Sequence, residues 1–392
     1  MKLIAKTFHG LEETLANELK NIGAKNIRIS KRACLYEGDM EVLYKSNLHL
    51  RTALRILRPF YEFVAFDEDR LYKKIKNYDW SKYLDNDKTF AIDSVVSSDR
   101  HKHSKYVALK MKDAIVDQFR DKTGKRPSID TENPDIRFNL HANGTNFTIS
   151  LDSSGDSLHK RGYRVPGHRA PLNEVLSAGM ILISNWDGKS IFIDPMCGSG
   201  TNLIEAALIA TNTPPLYHRE NFGFMNWNDY EPKLWKSIKE KAKNNIISFK
   251  EDEEFIFGSD ISGKALDIAK GAIRKFRFED LIDLERLEFQ KSHALTESGL
   301  IMINPPYGER LEKENLIEFY KMIGDTMKQF YQGHEAWVLS GNKEIIKYIG
   351  LKPSRKMTLY NGAIECKFHK YEMYSGSKKG KYLNNSDTVQ ST

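Results

Sequence analysis

The first 65 residues alternate between a helix pattern and short runs of strand-forming residues. The helix has one apolar face, made of Leu11, Leu15, Leu19 and Ile22. Apolar residues spaced three or four apart are typical of an amphipathic helix that packs on a core. Because the pattern resets near residues 66–70, residues 1–65 are predicted to form a separate α+β domain.

A second α+β domain is predicted for residues 66–155. An apolar strand at 90–96 precedes a helix with one apolar face, formed by Val107, Met111, Ile115 and Phe119. Two strands of alternating polarity follow at 137–141 and 146–151. Residues 156–171 are cationic and rich in glycine and proline, so we interpret them as a linker into a further domain.

From residue 172 onward, helices alternate with apolar strands of four or five residues. This rhythm is typical of a mostly parallel sheet covered by helices on both faces, so residues 172–375 are predicted to form a Rossmann-like α/β domain. Near its end, two strand-like runs flank Asn361-Gly362, which is a strong signal for an antiparallel hairpin. Residues 376–392 are polar and are predicted to be disordered.

The composition describes a folded chain of 392 residues, 40% of them hydrophobic, with enough length for more than one core. Its apolar stretches are too short to cross a bilayer and its first residues lack the apolar centre of a signal peptide, so we expect a cytoplasmic protein without membrane contact. Cys34, Cys197 and Cys366 are too few and too scattered for a disulfide framework or a zinc site, so no metal is expected.

The net charge of +7 is concentrated in the first part of the chain. Residues 1–165 carry 30 Lys and Arg against 23 Asp and Glu, whereas residues 166–392 carry 30 of each. Clustered cations attract a phosphate backbone without reading its sequence. An ordinary solvated surface with a mild excess of positive charge explains the net charge about as well. The candidate site in the α/β domain therefore has to distinguish a nucleic-acid-binding surface from an ordinary one.

The first candidate ligand-binding residues lie at the end of the first strand of the α/β domain. The strand ends in Asp194 and runs into a turn that carries Gly198 and Gly200 before a helix begins near Thr201. Such a turn lies where an α/β sheet binds adenosine-containing ligands, and glycines let the backbone approach them closely. The spacing differs from a dinucleotide fingerprint and no Lys follows the glycines, which disfavours a phosphate-binding loop.

An acidic residue at this turn suits a cationic ligand such as S-adenosylmethionine, although a Gly-x-Gly turn after a strand also occurs without any ligand. The candidate cofactor contacts of the turn are Asp194, Met196, Cys197, Gly198, Ser199, Gly200 and Thr201. The next strand, at 255–259, ends at Asp260, where a carboxylate can hold a ribose diol, with Ile261 beside it. A helix N-cap explains Asp260 about as well in isolation, and its place relative to the glycine turn favours the ribose.

A third strand, at 300–303, runs into Asn304-Pro305-Pro306-Tyr307. Two prolines stiffen this loop, so the Asn304 side-chain oxygen and the Pro305 carbonyl can accept both hydrogens of a planar aromatic amine. Tyr307 is predicted to stack on the base. The motif therefore indicates methyl transfer to an exocyclic amine, with orientation and electrostatics in place of a strong base. A proline-stiffened structural loop is the disfavoured alternative.

Asp194-Pro-Met-Cys-Gly-Ser-Gly-Thr followed by Asn304-Pro-Pro-Tyr-Gly-Glu-Arg-Leu resembles the class I methyltransferases that modify guanine 2-amino groups in RNA and carry a THUMP domain. The likeness covers nearly the whole chain and is greatest to the large-subunit ribosomal RNA guanine methyltransferases. It implies a ferredoxin-like domain at the start, a THUMP domain at 66–155, and S-adenosylmethionine as cofactor. The second catalytic domain of the fused enterobacterial form is lacking, which implies a single activity.

One departure from the family affects the cofactor adenine. Such enzymes often place an Asp there, whereas this chain reads Gln290-Lys-Ser-His-Ala294, so the resemblance leaves Ser292 or His293 for that contact, or neither. His293 is equally plausible as a plain surface residue.

RNA is the predicted partner. The THUMP-like domain is expected to bind it by recognising its shape and its phosphate groups. The candidate RNA-binding residues are Lys102, Lys105, Lys122, Lys125, Arg126, Lys160, Arg161 and Arg164. Residues 212–245 are interpreted as an insertion whose aromatic residues contact RNA or, as we favour, form a small core. Transfer RNA guanine, an adenine amine in RNA or DNA, and RNA binding without catalysis are the competing functions.

Overall fold

A computed structural model of the chain describes residues 1–97, 104–164, 172–249, 255–306 and 313–374. Contacts between Cα atoms divide the chain into two compact units. Unit 1 comprises residues 1–7, 15–160 and 216–244, and unit 2 comprises residues 8–14, 161–215 and those from 245 onward. The predicted domain boundaries at 65, 155 and 171 stay predictions, and the predicted tail at 376–392 lies outside the described residues.

In chain order, the strands and α-helices are β1 (Lys2–Lys6), α1 (Glu12–Asn21), β2 (Lys25–Ser30), β3 (Ala33–Glu37), α2 (Met40–His49), β4 (Arg55–Val64), α3 (Glu68–Lys76), β5 (Thr89–Ser97), α4 (Ser104–Thr123), β6 (Ser128–Ile129), β7 (Ile136–Asn143), β8 (Asn146–Asp152), α5 (Glu174–Ser184), β9 (Phe192–Asp194), α6 (Thr201–Ala210), α7 (Pro232–Asn244), β10 (Ile256–Ser259), α8 (Gly263–Phe276), β11 (Ile282–Glu285), β12 (Leu300–Ile303), α9 (Lys313–Phe330), β13 (Glu335–Ser340), β14 (Arg355–Asn361) and β15 (Ile364–Glu372).

Unit 1 is built on one eight-stranded sheet with the order β2-β3-β1-β4-β8-β7-β5-β6. Its strand pairs are antiparallel except β5 with β6 and β5 with β7. Strand β4 joins the two predicted α+β regions because it pairs with β1 on one side and with β8 on the other. Side chains alternate between the two faces, so Leu3 and Ala5 enter the core while Lys2 and Lys6 lie on the opposite face.

The segment 216–244 completes the core of unit 1. Phe222, Phe224 and Trp235 are buried in the same cluster as Tyr44 of α2, whose ring centroid lies 4.6 Å from that of Phe224. The backbone amide of Glu231 donates to the Tyr44 hydroxyl over 2.9 Å. The aromatic residues of this insertion therefore serve a core, as favoured from the sequence, but that core is the large one of unit 1.

Unit 2 has the predicted α/β architecture, with the strand order β11-β10-β9-β12-β13-β15-β14. Strands β9 to β13 run parallel, and β15 is antiparallel to both of its neighbours. The strand order reverses at β9, between β10 and β12, which is where open α/β sheets bind ligands outside the carboxyl ends of the strands. The predicted hairpin is present, with its turn at Gly362 and Ala363, one residue later than expected.

Candidate active site

A cavity of about 680 Å³ lies at the carboxyl ends of β9, β10 and β12 in unit 2. Its size falls within the range of small-molecule sites. The cavity brings together most of the residues predicted from the three motifs: Asp194, Met196, Cys197, Gly198, Ser199, Thr201, Asp260, Ile261, Asn304 and Pro306. Strand ends that are distant in sequence meet here because parallel strands all deliver their carboxyl ends to one edge of the sheet.

The glycine turn has a backbone that other residues adopt only with strain. Gly198 and Gly200 have φ values of +54° and +81°. A Cβ added to Gly198 would meet no atom within 4 Å, whereas one added to Gly200 would lie 3.1 Å from the Cβ of Ala269. Gly198 therefore keeps space open beside the cavity, and Gly200 permits close packing between α6 and α8.

Asp194 is buried and held by two donors. Its Oδ1 accepts from the Met196 amide over 3.2 Å, and its Oδ2 accepts from the Asn202 side chain over 2.9 Å. Asn202 is fixed in turn, because its Oδ1 accepts from the Ser177 hydroxyl over 2.7 Å. Burial raises the pKa of Asp194 to about 7, and the nearby charge of Asp260 acts in the same direction. A positive ligand near Asp194 would favour its ionised form.

Asp260 links the glycine turn to the loop before α8. Its Oδ2 accepts from the Gly198 amide over 2.9 Å, and its Oδ1 accepts from the Ser262 amide over 2.8 Å. The N-cap of α8 is Ser262, whose hydroxyl oxygen accepts from the Ala265 amide. The N-cap alternative for Asp260 is therefore wrong. Each carboxylate oxygen keeps a further lone pair, so Asp260 can still accept from two hydroxyls.

Asn304 follows β12, whose four residues are all buried. Its Oδ1 atom is buried and has no hydrogen-bond partner among the described residues. A buried amide oxygen without a partner is unfavourable, and such atoms point to a ligand or a catalytic role. Pro305 is buried, Pro306 is exposed and lines the cavity, and the predicted stacking residue Tyr307 lies outside the described residues.

The structure does not bring Ser292 or His293 into the cavity lining. The Ser292 hydroxyl donates to the Phe289 carbonyl over 2.7 Å and accepts from the Tyr331 hydroxyl over 2.7 Å, and His293 is exposed. The cavity wall beyond β11 is formed by residues that sequence reasoning missed: Leu287, Glu288, Phe289 and Gln290. Their position in the chain could have identified them, since they follow β11, the strand that pairs with β10.

Two further parts of the cavity lining were not predicted. Leu172 precedes α5, and Phe319 and Met322 lie on α9. Cys197 lines the cavity as a buried thiol, and burial raises its pKa well above the ordinary range, so Cys197 is not poised as a thiolate.

Within the described part of the chain, His, Cys, Asp and Glu form no group of three that could hold a metal ion. The same residues include no helix with the length and apolar character that a membrane span requires.

The predicted RNA-binding residues have different surroundings. Four of them, Lys105, Lys122, Lys125 and Arg126, are exposed in unit 1, and Lys122 lies 3.3 Å from Asp79. Lys160 is exposed and pairs with Asp156 over 3.0 Å. Lys102 lies outside the described residues.

Arg161 does not reach the surface. Its side chain is 0% exposed, and its Nε lies 3.5 Å from Glu205, which also accepts from the Tyr163 hydroxyl. A buried cation held by a buried carboxylate cannot contact RNA, so this assignment is corrected. Arg164 is partly exposed, but its guanidinium pairs with Glu174 over 2.6 Å and also donates to the Leu172 carbonyl.

Comparison with known proteins adds three domain matches. Residues 2–57 match the RlmL ferredoxin-like domain, residues 65–152 match the THUMP domain, and residues 161–370 match the RMKL-like methyltransferase domain. The predicted ferredoxin-like and THUMP domains are thereby confirmed. A methyltransferase family also confirms the predicted cofactor, S-adenosylmethionine.

Individual relatives agree with these matches. The chain is 36% identical to the ribosomal RNA large subunit methyltransferase K/L of Syntrophotalea carbinolica, over 95% of this chain and 54% of the relative. It is also 36% identical to slr0064 of Synechocystis sp., provisionally named an RNA methyltransferase, over 94% of this chain and 96% of the relative. The chain thus spans about half the length of the K/L relatives it matches.

Among solved structures, SMU.472, provisionally described as a methyltransferase and complexed with SAH, superposes with a TM-score of 0.85. The two sequences are 28% identical, and the superposition covers 96% of this chain and 99% of the other. The glycine turn, the strand order and the domain matches all indicate the same family. This chain belongs to the RMKL-like methyltransferase family, and its methyltransferase domain follows a ferredoxin-like domain and a THUMP domain.

Proposed function

We propose that this chain transfers a methyl group from S-adenosylmethionine to the exocyclic 2-amino group of a guanine in large-subunit ribosomal RNA. The observation that carries the proposal is the buried Oδ1 of Asn304, which has no partner among the described residues and borders the cavity. An acceptor in this position suits the N–H of a planar amine.

The residues around the cavity suit the cofactor. Gly198 leaves room for it, Asp260 would accept from the two ribose hydroxyls, and Asp194 would lie near its positive groups. Phe289, Glu288 and Gln290 are the candidates for the adenine end, in place of Ser292 and His293. When bound, S-adenosylmethionine supplies an activated methyl group on a sulfonium.

Around the target amine, the chain supplies orientation. Asn304 Oδ1 would accept one N–H and the Pro305 carbonyl the other, which turns the nitrogen lone pair toward the cavity. The nitrogen becomes positive as its lone pair forms the new bond, and the buried acceptor stabilises that charge. The positively charged nitrogen then loses a proton easily, so a strong general base is not required. Tyr307 would hold the base plane by stacking.

RNA as substrate is supported by the THUMP match and by the excess of cations in residues 1–165. The names of the K/L relatives support ribosomal RNA as the substrate. The target guanine has to leave its stack to reach Asn304, so we expect an unpaired or flipped nucleotide. Transfer RNA guanine and an adenine amine remain the competing substrates, because both amines are planar and offer two donors.

The test is transfer of labelled methyl from S-adenosylmethionine to total RNA from a strain that lacks this gene, followed by nucleoside analysis by mass spectrometry. We expect methylguanosine in large-subunit ribosomal RNA. Asn304→Ala should reduce the initial rate of labelling to a small fraction of that of wild type, and Asn17→Ala, a substitution of an exposed asparagine on α1, should leave it unchanged. Methyladenosine would establish the adenine alternative, label in transfer RNA would change the substrate, and an absence of label on every RNA would refute the proposal.

A further inference from the structure

The open face of the sheet in unit 1 forms a second concave surface, with a volume of about 730 Å³. It lies opposite the face that packs on the core, and its wall is made by strands β1 to β4 together with β7 and β8. The register explains this continuity, because Lys2 is paired with Glu37, Ile4 with Leu57, and Asn139 with Ser150. We call this surface the sheet groove.

The sheet groove is rich in cations. Its lining includes Lys2, Lys6, Arg28 and Lys31, against the two carboxylates Glu37 and Glu62. The Glu37 Oε2 accepts from the neutral Asn26 side chain over 2.7 Å, which orients the carboxylate and leaves its charge unchanged, so the four cations outnumber the two carboxylates. Within the described ranges of the chain, none of these four cations forms an ion pair. The groove therefore has a positive charge that the described carboxylates do not neutralise.

Positive groups in the groove and beside it lower one another's pKa. Burial lowers the pKa of Lys6, and Arg32, which is not among the described lining residues, lowers it further. Burial likewise lowers the pKa of His141, which lines the groove, and Lys6 adds to that effect. Like charges held together in a concave surface destabilise the folded chain unless an anion compensates them. This arrangement indicates an anionic ligand.

The lining distinguishes between kinds of nucleic acid. Two rings line the groove: Tyr36 is buried in the core, and the imidazole of His141 is half-buried. No Phe or Trp is among the lining residues that the structure describes, so the groove offers little ring surface on which successive bases could stack. Asn139, Thr148 and Ser150 line the groove with groups that can bond to phosphate and 2′-hydroxyl oxygens. Cations with hydroxyl and amide groups, and with one half-buried imidazole as the only partly accessible ring of the described lining, suit the backbone of a duplex better than a single strand.

The geometry points to the sheet groove as a docking surface for the phosphate backbone of a double-stranded stem of the substrate RNA. This inference rests on the proposed function for the identity of the nucleic acid. It adds a contact surface on β1 to β3 that is separate in sequence from the eight RNA-binding residues predicted above. Binding there depends on charge and shape and leaves methyl transfer chemistry unchanged.

The test compares two triple variants with the full-length wild-type chain. The first removes the exposed cations of the groove, K2A with R28A and K31A, and the control removes three exposed helix cations, K20A with K73A and K236A. The probes are an RNA hairpin with a stem of about 16 base pairs and a single-stranded RNA of equal length. The measurements are Kd at several salt concentrations, S-adenosylmethionine affinity, and the steady-state constants on total RNA.

We expect the groove variant to bind the hairpin about tenfold or more weakly, with a salt slope reduced by roughly two to three, while the control variant changes little. Its cofactor affinity and kcat should match wild type, with a higher KM for RNA. Equal loss in both triple variants, or binding of the single strand as tight as that of the hairpin, would overturn the inference. Failure of the proposed function looks different, because methylation would then be missing in the wild-type chain while the groove variant still lost hairpin binding.

Discussion

The two sheets of this molecule present their functional residues in opposite ways. In unit 2 the mostly parallel sheet gathers single groups at the ends of β9, β10 and β12, and hydrogen bonds fix two of them, the buried Asp194 and the half-buried Asp260. In unit 1 the largely antiparallel sheet presents an open face that carries several cations, none of which forms an ion pair with a described residue. Under the proposed roles, methyl transfer depends on few atoms, whereas RNA binding is distributed over many.

This difference predicts how each region responds to substitution. A buried group with a fixed partner has no substitute nearby, so its removal should have a large effect. An exposed cation contributes one phosphate contact among several, so its removal should have a small effect that depends on salt.

Arg161→Ala should lower the free energy of unfolding by about 3–5 kcal/mol, because it leaves the buried Glu205 without its cation. Thermal or urea unfolding measures this loss. The matched control is Lys160→Ala at the neighbouring exposed ion pair, which should be close to neutral. Loss of RNA affinity in Arg161→Ala at unchanged stability would return this residue to the RNA-binding surface.

Asn304→Ala should lower kcat by about 10²–10³-fold, because it removes the acceptor that orients the amine and stabilises its charge. The affinity for S-adenosylmethionine should be nearly unchanged, as measured by calorimetry. An equal loss of cofactor affinity and turnover would contradict the assigned role.

Gly198→Val should weaken S-adenosylmethionine binding by about a hundredfold or more. The new side chain would occupy the open space beside the cavity, and φ at this position is +54°. RNA binding should be retained, as an RNA hairpin titration would show. Simultaneous loss of both kinds of binding would indicate misfolding or a shared surface.

The affinity for S-adenosylmethionine should rise with pH, by up to about tenfold between pH 6 and pH 8. Burial raises the pKa of Asp194 to about 7, so the carboxyl group is protonated below that pH and cannot attract a cation. The same shift has the opposite sign for stability, since a folded pKa above the unfolded one makes stability fall as pH rises from about 4 to about 7. Asp194→Asn should bind weakly and without this pH dependence, and an unchanged dependence would assign it to another group.

A single groove substitution, Lys31→Ala, should weaken hairpin binding by only a few-fold and reduce the salt slope by about one. The substitution K20A on α1 is its control. A loss as large as that in the triple variant would show that one cation dominates the groove, and it would narrow the contrast between the two sheets.

Local sequence patterns predicted much of this structure. The predictions that failed concern residues whose surroundings depend on segments distant in sequence. The helix on Val107, Met111, Ile115 and Phe119 is α4, and the three strand-end motifs meet in one cavity, because periodicity and strand endings are properties of short segments. The burial of Arg161 could not be predicted, since it depends on Glu205 of α6, which is distant in sequence. The cavity wall at Glu288 to Gln290 has no motif, and only the position of β11 in the sheet reveals it.

The segment 216–244 has a consequence for how the chain can be made and divided. Its aromatic residues complete the core of unit 1, although it is inserted between β9 and β10 of unit 2. During synthesis, unit 1 therefore cannot close its core until more than half of the chain has left the ribosome, even though domains commonly fold in order from the N-terminus. For the same reason, no cut at a single peptide bond separates the two units, and a fragment ending at the linker would expose the hydrophobic surface that Phe222, Phe224 and Trp235 cover.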